Sequence, residues 1–241
     1  MKALVLAGGL GTRLWPLAHQ YNKHLLPVAG IPMIVRVIKK AVESGLTSFV
    51  IISNVRPDLV KDTVLDYFGH KQNLDFTFVA EKEKPKGIAC SILESRVYME
   101  DNPFIVLFGD VLYDQPFTEY VNTFNTKEYV AKFMLAKTID PSSHASVVFD
   151  SQQKIVEIIE KCKDPQKNII VTSCDIFTSK VWQYFHLLKP SKRGEYEITD
   201  LRNMLIKNHK VEYAFVKGWW IDAGTPERLK EARAFFIEKR K

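Results

Sequence analysis

Residues 8–13 read Gly8-Gly9-Leu10-Gly11-Thr12-Arg13, with three glycines in four positions and an arginine close behind. Glycine lets backbone N–H groups come close to a ligand. Successive N–H groups in such a loop form a nest for anions. Arg13 adds a planar fork of donors that suits phosphate oxygens, so the loop could hold a polyphosphate. The spacing is not the G-x-G-x-x-G of a dinucleotide site, and no Gly-Lys-Ser/Thr follows, which excludes a Walker A loop. Tight turns also use glycines, so the loop alone does not establish binding. Lys23 stands ten residues beyond Arg13, and most lysines are simply solvated. Asp110 follows the apolar run Phe104–Phe108, and Asp222 lies in Trp220–Pro226. Taken singly, the first reads as a turn residue and the second as a helix cap. Cys90, Cys162 and Cys174 form no Cys-x-x-Cys pair, so neither a zinc knuckle nor a disulfide framework is indicated.

The elements around these residues follow from hydrophobic period. Ala3–Leu6 reads as a buried strand that delivers the glycine loop at its carboxyl end. Pro32–Glu43 places Ile34, Val37, Ile38, Ala41 and Val42 on one helical face, and Gly45 closes it. Strands are predicted at Phe49–Ser53, Phe76–Ala80 and Phe104–Phe108, with helices at Pro57–Phe68 and Ile88–Met99 between them. A β-α-β-α-β-α-β order implies parallel strands with helices on both faces. Such sheets bind ligands at the carboxyl ends of their strands, which singles out the loops after Leu6 and Phe108. The second half predicts strands at Val130–Ala136, Ala145–Phe149, Ile155–Ile159, Ile169–Phe177 and Val211–Val216. It predicts helices at Ser179–Leu188, Ile198–Lys207 and Pro226–Lys239. With no linker or repeat, the reading is one domain over 1–241, in two halves that divide at residues 112 and 113. The fold class is α/β, a three-layer α/β/α arrangement with a mostly parallel mixed sheet.

Composition agrees with a soluble globular chain: 241 residues, 46% hydrophobic and 26% charged. That excludes a disordered, collagen-like or disulfide-scaffold protein. The net charge of +6 suits an anionic small substrate as well as it suits nucleic acid. Lys82, Lys84 and Lys86 form a compact lysine cluster. No nucleic-acid or membrane partner is expected. The apolar start, Met1–Ala7, is too short for a signal peptide or a span, and a cytoplasmic location is the expectation.

LAGGLGTRLWPL followed by NKHLLPV resembles the opening of the sugar nucleotidyltransferases, the nucleoside-diphosphate-sugar pyrophosphorylases, with Ala18 in place of a usual threonine. IPMI, Phe108-Gly109-Asp110-Val111, LKPSKRGEYEITD and WIDAGTP extend the resemblance along nearly the whole chain. The last two segments look most like the short-form glucose-1-phosphate thymidylyltransferases. The resemblance implies a Rossmann-like nucleotide-diphospho-sugar transferase fold and a reaction between a nucleoside triphosphate, dTTP or UTP, and a sugar 1-phosphate. It implies Leu6, Ala7, Gly8, Gly9, Gly11, Thr12, Arg13, Lys82 and Gly87 as nucleotide contacts. Arg13 would hold the leaving phosphates and Lys23 the α-phosphate and sugar phosphate, both as catalytic groups. Asp110 and Asp222 would ligate Mg²⁺, the expected cofactor. Lys23, Ala145, Glu160, Lys161 and Val171 would contact the acceptor. With 19 residues after Asp222, a monomer or homodimer is expected. The alternatives are a cytidylyltransferase acting on a sugar phosphate or phosphocholine-like alcohol phosphate, and a catalytically silent nucleotide-sugar-binding regulator.

Departures gather at the sugar and the base. His144-Ala145-Ser146 stands where the family often has Phe-Gly-Val, and Val171-Thr172-Ser173 where it has V-T-G. Two lost glycines predict a reshaped acceptor pocket and a sugar other than glucose. Lys82 stands in place of a base-reading Gln, and lysine cannot accept a hydrogen bond. Cys162 replaces a proline after Lys161, and Val111 an asparagine after Asp110.

Overall fold

The computed structural model describes all residues except 10, 16–20, 82–85, 166 and 240–241. In chain order the elements are β1 (Lys2–Leu6), β2 (Pro27–Val28), β3 (Ile31–Pro32), α1 (Met33–Glu43), β4 (Ser48–Ser53) and α2 (Pro57–Phe68). There follow β5 (Asp75–Ala80), α3 (Ile88–Glu94), α4 (Arg96–Met99), β6 (Phe104–Phe108), β7 (Val111–Tyr113) and α5 (Thr118–Asn122). The rest are β8 (Ala131–Lys137), β9 (Ala145–Phe149), β10 (Ile155–Glu160), β11 (Ile169–Phe177), α6 (Ile198–Asn208), β12 (Val211–Phe215), β13 (Trp220–Asp222) and α7 (Pro226–Glu238). The chain forms two compact units. One comprises Met1–Lys84, Val106–Glu119 and Lys217–Lys241; the other comprises Pro85–Ile105 and Tyr120–Val216.

In the first unit β1 pairs in parallel with β4, and β4 with β5, in register Ala3↔Phe49 and Ser48↔Asp75. β1 and β4 are largely apolar and buried, as parallel strands covered on both faces must be, whereas β5 is only partly buried. Leu4, Phe49 and Ile51 are buried, and α1 buries Met33, Ile34, Val35, Val37, Ile38 and Ala41. Pro57 opens α2 at its first turn, where its missing N–H costs nothing. Two three-residue strands, β7 and β13, pair antiparallel with Asp222 opposite Val111. Helix α7 is capped by the Thr225 hydroxyl, which accepts from the Arg228 N–H at 3.4 Å, with Pro226 at its start. Trp219 stacks on Phe235 with centroids 4.0 Å apart, and the Arg36 guanidinium lies 4.0 Å from the Phe236 ring.

In the second unit β8 pairs antiparallel with β11 and parallel with β12, and β9 pairs antiparallel with β10. The α/β class with a mixed sheet is therefore as the sequence predicts. Helix α6 is fixed to β11 by the buried pair Arg202–Asp175, 2.7 Å apart. It is fixed to β10 by Asn203, whose amide pairs with both the N–H and C=O of Ile158 at 2.8 and 2.7 Å. Two helices differ from the periodicity. The run 88–99 breaks at Ser95, whose hydroxyl donates to Ile92 O at 2.6 Å, the local backbone competition that makes serine a poor interior helix residue. Ser179–Leu187 is a 3₁₀ helix rather than α. Among the described residues no helix is long and apolar enough to cross a membrane.

Candidate active site

The glycine loop leaves β1 with Leu6 and Ala7 buried, and Ala7 N–H donating to Ile52 O at 2.9 Å. Gly9 N–H donates to Asn54 Oδ1 at 3.0 Å. A Cβ on Gly8 would meet Asn54 Oδ1 and Glu81 Oε2, each at 3.3 Å. Gly9 and Gly11 take φ of 99° and 60°, where side chains are strained. Gly11 opens a 3₁₀ turn, Thr12–Leu14, that anchors buried Leu14 and leaves Thr12 and Arg13 exposed. The loop is thus a positive-φ turn whose next residues, including Arg13, face solvent.

Lys23 sits in a second 3₁₀ turn, Lys23–Leu25, capped by the Asn22 side chain, which accepts from His24 N–H. Its ammonium pairs with Asp110 Oδ2. Asp110 lies between β6 and β7 and is 5% exposed. Gly109 N–H donates to Leu6 O at 2.9 Å, and Ala223 N–H donates to Asp110 O at 2.9 Å. The β7–β13 ladder therefore brings Asp222 beside Asp110 across more than a hundred residues of chain. Asp222 is not the cap of α7; its Oδ1 accepts from Gly224 N–H at 2.9 Å. Gly224 marks where the groups converge. A Cβ there would lie 2.8 Å from Asp222 Oδ1, 3.1 Å from Arg13 Nη2 and 3.5 Å from Asp110 Oδ2. One arginine and two carboxylates thus border one small space, all in the first unit.

The electrostatics follow from that crowding. Burial alone would raise the Asp110 carboxyl, but the Lys23 ammonium and the Lys23 hydrogen bond outweigh it and hold Asp110 below the usual range. Asp222 is raised, by burial and then by the Asp110 charge. Burial pushes the His24 imidazole down to about 3, so it is neutral. Two adjacent carboxylates that raise one another's ionisation cost fit a hard divalent cation, which takes oxygen ligands and typically uses one or two carboxylates plus substrate phosphates. Among the described residues no group of three or more His, Cys, Asp or Glu is placed to hold a metal ion.

Of the acceptor residues predicted from the sequence, Ala145, Glu160, Lys161 and Val171 lie in the second unit and Lys23 in the first. Ala145 stands opposite Glu160 in the β9–β10 ladder. The Thr199 hydroxyl donates to Glu160 Oε2 at 2.9 Å, and Arg193 lies 3.9 Å from Glu160 Oε1. Lys161 has φ 48° and donates its N–H to His144 O at 3.1 Å. Val171 is buried at the start of a bulge in β11, between Val171 and Asp175. Within it Ser173 keeps φ 65°, the backbone a glycine would supply. Gly87, with φ 109°, lies so close to Tyr196 that a Cβ would meet its carbonyl oxygen at 2.5 Å. Tyr196 N–H donates to Lys86 O and Ala89 N–H to Tyr196 O, at 2.6 and 3.2 Å. Those bonds give the GEYEITD segment a structural role. Lys82 lies outside the described residues.

Sequence reasoning passed over Asn22, His24, Asn54 and Gly224. Asn22 and His24 were visible only as neighbours of Lys23 inside NKHLLPV. Gly224 was visible only inside WIDAGTP, and Asn54 carries no signal beyond following a strand.

The chain is similar over nearly its whole length to known proteins. The chain is 30% identical over 240 residues to the glucose-1-phosphate thymidylyltransferase of Streptomyces antibioticus, covering 99% of this chain and 67% of that one. It is 27% identical to the UTP–glucose-1-phosphate uridylyltransferase AglF of Haloferax volcanii, covering 96% and 95%. It spans 55% of the length of a bifunctional GlmU protein of Methanococcus aeolicus and 66% of Agl11 of Haloferax volcanii. Among solved structures, a Bacillus anthracis protein provisionally named glucose-1-phosphate thymidylyltransferase superposes with TM-score 0.88 at 34% identity, covering 98% of this chain and 94% of that one. A UDP-glucose pyrophosphorylase at 21% identity and TM-score 0.87 shares the fold. The family described as nucleotidyl transferase matches residues 2–239, and the chain belongs to that family.

Proposed function

We propose that the chain joins a nucleoside triphosphate to a sugar 1-phosphate, giving a nucleoside-diphosphate sugar and pyrophosphate. The observation that carries this is the convergence of Arg13, Asp110 and Asp222 around Gly224, with Lys23 on Asp110. A sugar-phosphate oxygen attacks the α-phosphorus; one P–O bond forms, and the bond to the β-phosphate oxygen breaks. The electron pair leaves with pyrophosphate. The nucleophile is already an anion, so no general base is needed, and neutralisation with in-line positioning supplies the catalysis. Arg13 stabilises charge growing on the leaving phosphates. Lys23 neutralises oxygens of the α-phosphate and the sugar phosphate. Asp110 and Asp222 would hold Mg²⁺, which supplies Lewis-acid stabilisation of the phosphate oxygens. Leu6, Ala7, Gly8, Gly9, Gly11, Thr12 and Gly87 are the residues assigned to the nucleotide. Ala145, Glu160, Lys161 and Val171 bind the sugar, with Glu160 accepting from its hydroxyls.

The relatives' names favour dTTP or UTP as donor and glucose 1-phosphate as reference acceptor. Ala145 and Ser173, where the family carries glycine, favour a different sugar. Pyrophosphate release measured with dTTP, UTP, CTP, GTP and ATP against several sugar 1-phosphates and phosphocholine, with Mg²⁺, tests the reading. Release is expected with a pyrimidine triphosphate and a sugar 1-phosphate together. Release with phosphocholine alone among the acceptors, or with none, would contradict it.

A further inference from the structure

Lys23 is flanked by two buried polar residues that no step of the proposed reaction uses. Asn22 is 0% exposed and His24 2%. The Asn22 Nδ2 faces Ala7 O at 2.7 Å, Val55 O at 2.8 Å and Ser53 Oγ at 3.1 Å. Carbonyls only accept, so this end of the amide is the NH₂. Asn22 Oδ1 then lies 2.9 Å from His24 N and 2.7 Å from His24 Nδ1. An amide oxygen also only accepts, so the imidazole carries its hydrogen on Nδ1. In the neutral ring the lone pair then falls on Nε2, which lies 3.8 Å from Asp110 Oδ1, beyond hydrogen-bond reach. The ring sits beneath the peptide before Asp110, where a Cβ on Gly109 would lie 2.8 Å from His24 Cδ2.

We propose that Asn22 and His24 are positioning residues for Asp110 and Lys23, with Asn22 locking His24 in the Nδ1–H tautomer. The lock has two consequences. The opposite tautomer would aim an N–H at Asp110 and compete with a cation for the carboxylate; the locked one leaves Asp110 to the cation and to Lys23. Asn22 also ties the ends of β1 and β4 to the turn that carries Lys23, so the lysine backbone is anchored on both sides. Groups that orient a ligand through a neighbour typically contribute 10–100-fold to affinity or activity. This inference rests on the roles given above to Asp110 and Lys23.

Two measurements on the full chain test it. Long-range ¹H–¹⁵N NMR of the His24 ring at pH 7 reads the tautomer directly, and Nδ1–H is expected. An Nε2–H ring in the wild type would overturn the proposal whatever the enzyme does. Mn²⁺ binding, read by electron paramagnetic resonance of the free ion, is then compared among wild type, His24→Asn, Asn22→Leu and Asp110→Asn. His24→Asn keeps a donor toward Asn22 and removes the ring beneath Gly109, so it guards against Asn22→Leu failing to fold. Its dissociation constant for Mn²⁺ is expected to rise about 10–100-fold, with the melting temperature retained. Unchanged Mn²⁺ affinity in folded His24→Asn, with Asp110→Asn impaired, would overturn the positioning role. Unchanged affinity in Asp110→Asn would instead overturn the metal reading of that carboxylate.

Discussion

Gly224 shows how one residue can carry a site without touching substrate. Its φ does not demand glycine, yet a methyl there would meet Asp222 Oδ1 at 2.8 Å and Arg13 Nη2 at 3.1 Å. Gly224→Ala is therefore expected to fold normally and to lose about 100-fold in kcat, since an Å-scale misplacement of positioned groups costs that much. Equal kcat in the folded variant would contradict the convergence. His24 carries a second prediction. Its folded value is about 3 against an ordinary 6.5. Between those values the unfolded chain takes up a proton that the folded chain refuses, so stability falls as pH falls. The slope approaches about 1.4 kcal/mol per pH unit. The raised carboxyl of Asp222 works the other way, in the window above its ordinary 3.8. Urea unfolding of wild type and His24→Asn from pH 7 to 4.5 separates the two, because only the wild type should show the histidine slope. Parallel curves would mean that His24 is protonated when folded.

At the scale of elements, α6 is held where its N-terminal turn meets Glu160. The Arg202–Asp175 pair is fully buried, and burial raises the Asp175 carboxyl against the pull of Arg202. Arg202→Met is expected to destabilise the chain by roughly 3–5 kcal/mol, the cost of an uncompensated buried charge. A denaturation midpoint equal to wild type would contradict that. The helix and its strand partners were legible in the sequence because their apolar residues recur at helical or strand period. So was the glycine loop, since Gly9 and Gly11 need positive φ that few other residues take. The β7–β13 ladder was not legible. Three-residue strands have too little pattern to read, and their pairing is between residues distant in sequence. That ladder places Asp222 beside Asp110, so the identity of both carboxylates came from motif resemblance and their proximity only from the structure. The 3₁₀ geometry of Ser179–Leu187 was also hidden, because short apolar spacings of three and four residues suit both helix types.

At the scale of the molecule, the first unit gathers residues from the start, middle and end of the chain. A boundary drawn at residue 112 leaves Asp222 on the other side of it, whereas the first unit takes in Lys217–Lys241 with Arg13, Lys23 and Asp110. Sequence order could not show this, because a late strand returns to pair with an earlier one. The basic surplus of +6 is small, and Lys23 and Arg202 pair with the buried carboxylates Asp110 and Asp175. The proposed mechanism has Arg13, Lys23, Asp110 and Asp222 acting together on phosphates. Its most direct measurement is pyrophosphate release by wild type and Asp110→Asn with dTTP or UTP, a sugar 1-phosphate and Mg²⁺. Release is expected to need both substrates and to fall at least about 100-fold in the folded variant. Equal release by Asp110→Asn, or wild-type release without a sugar phosphate, would contradict it.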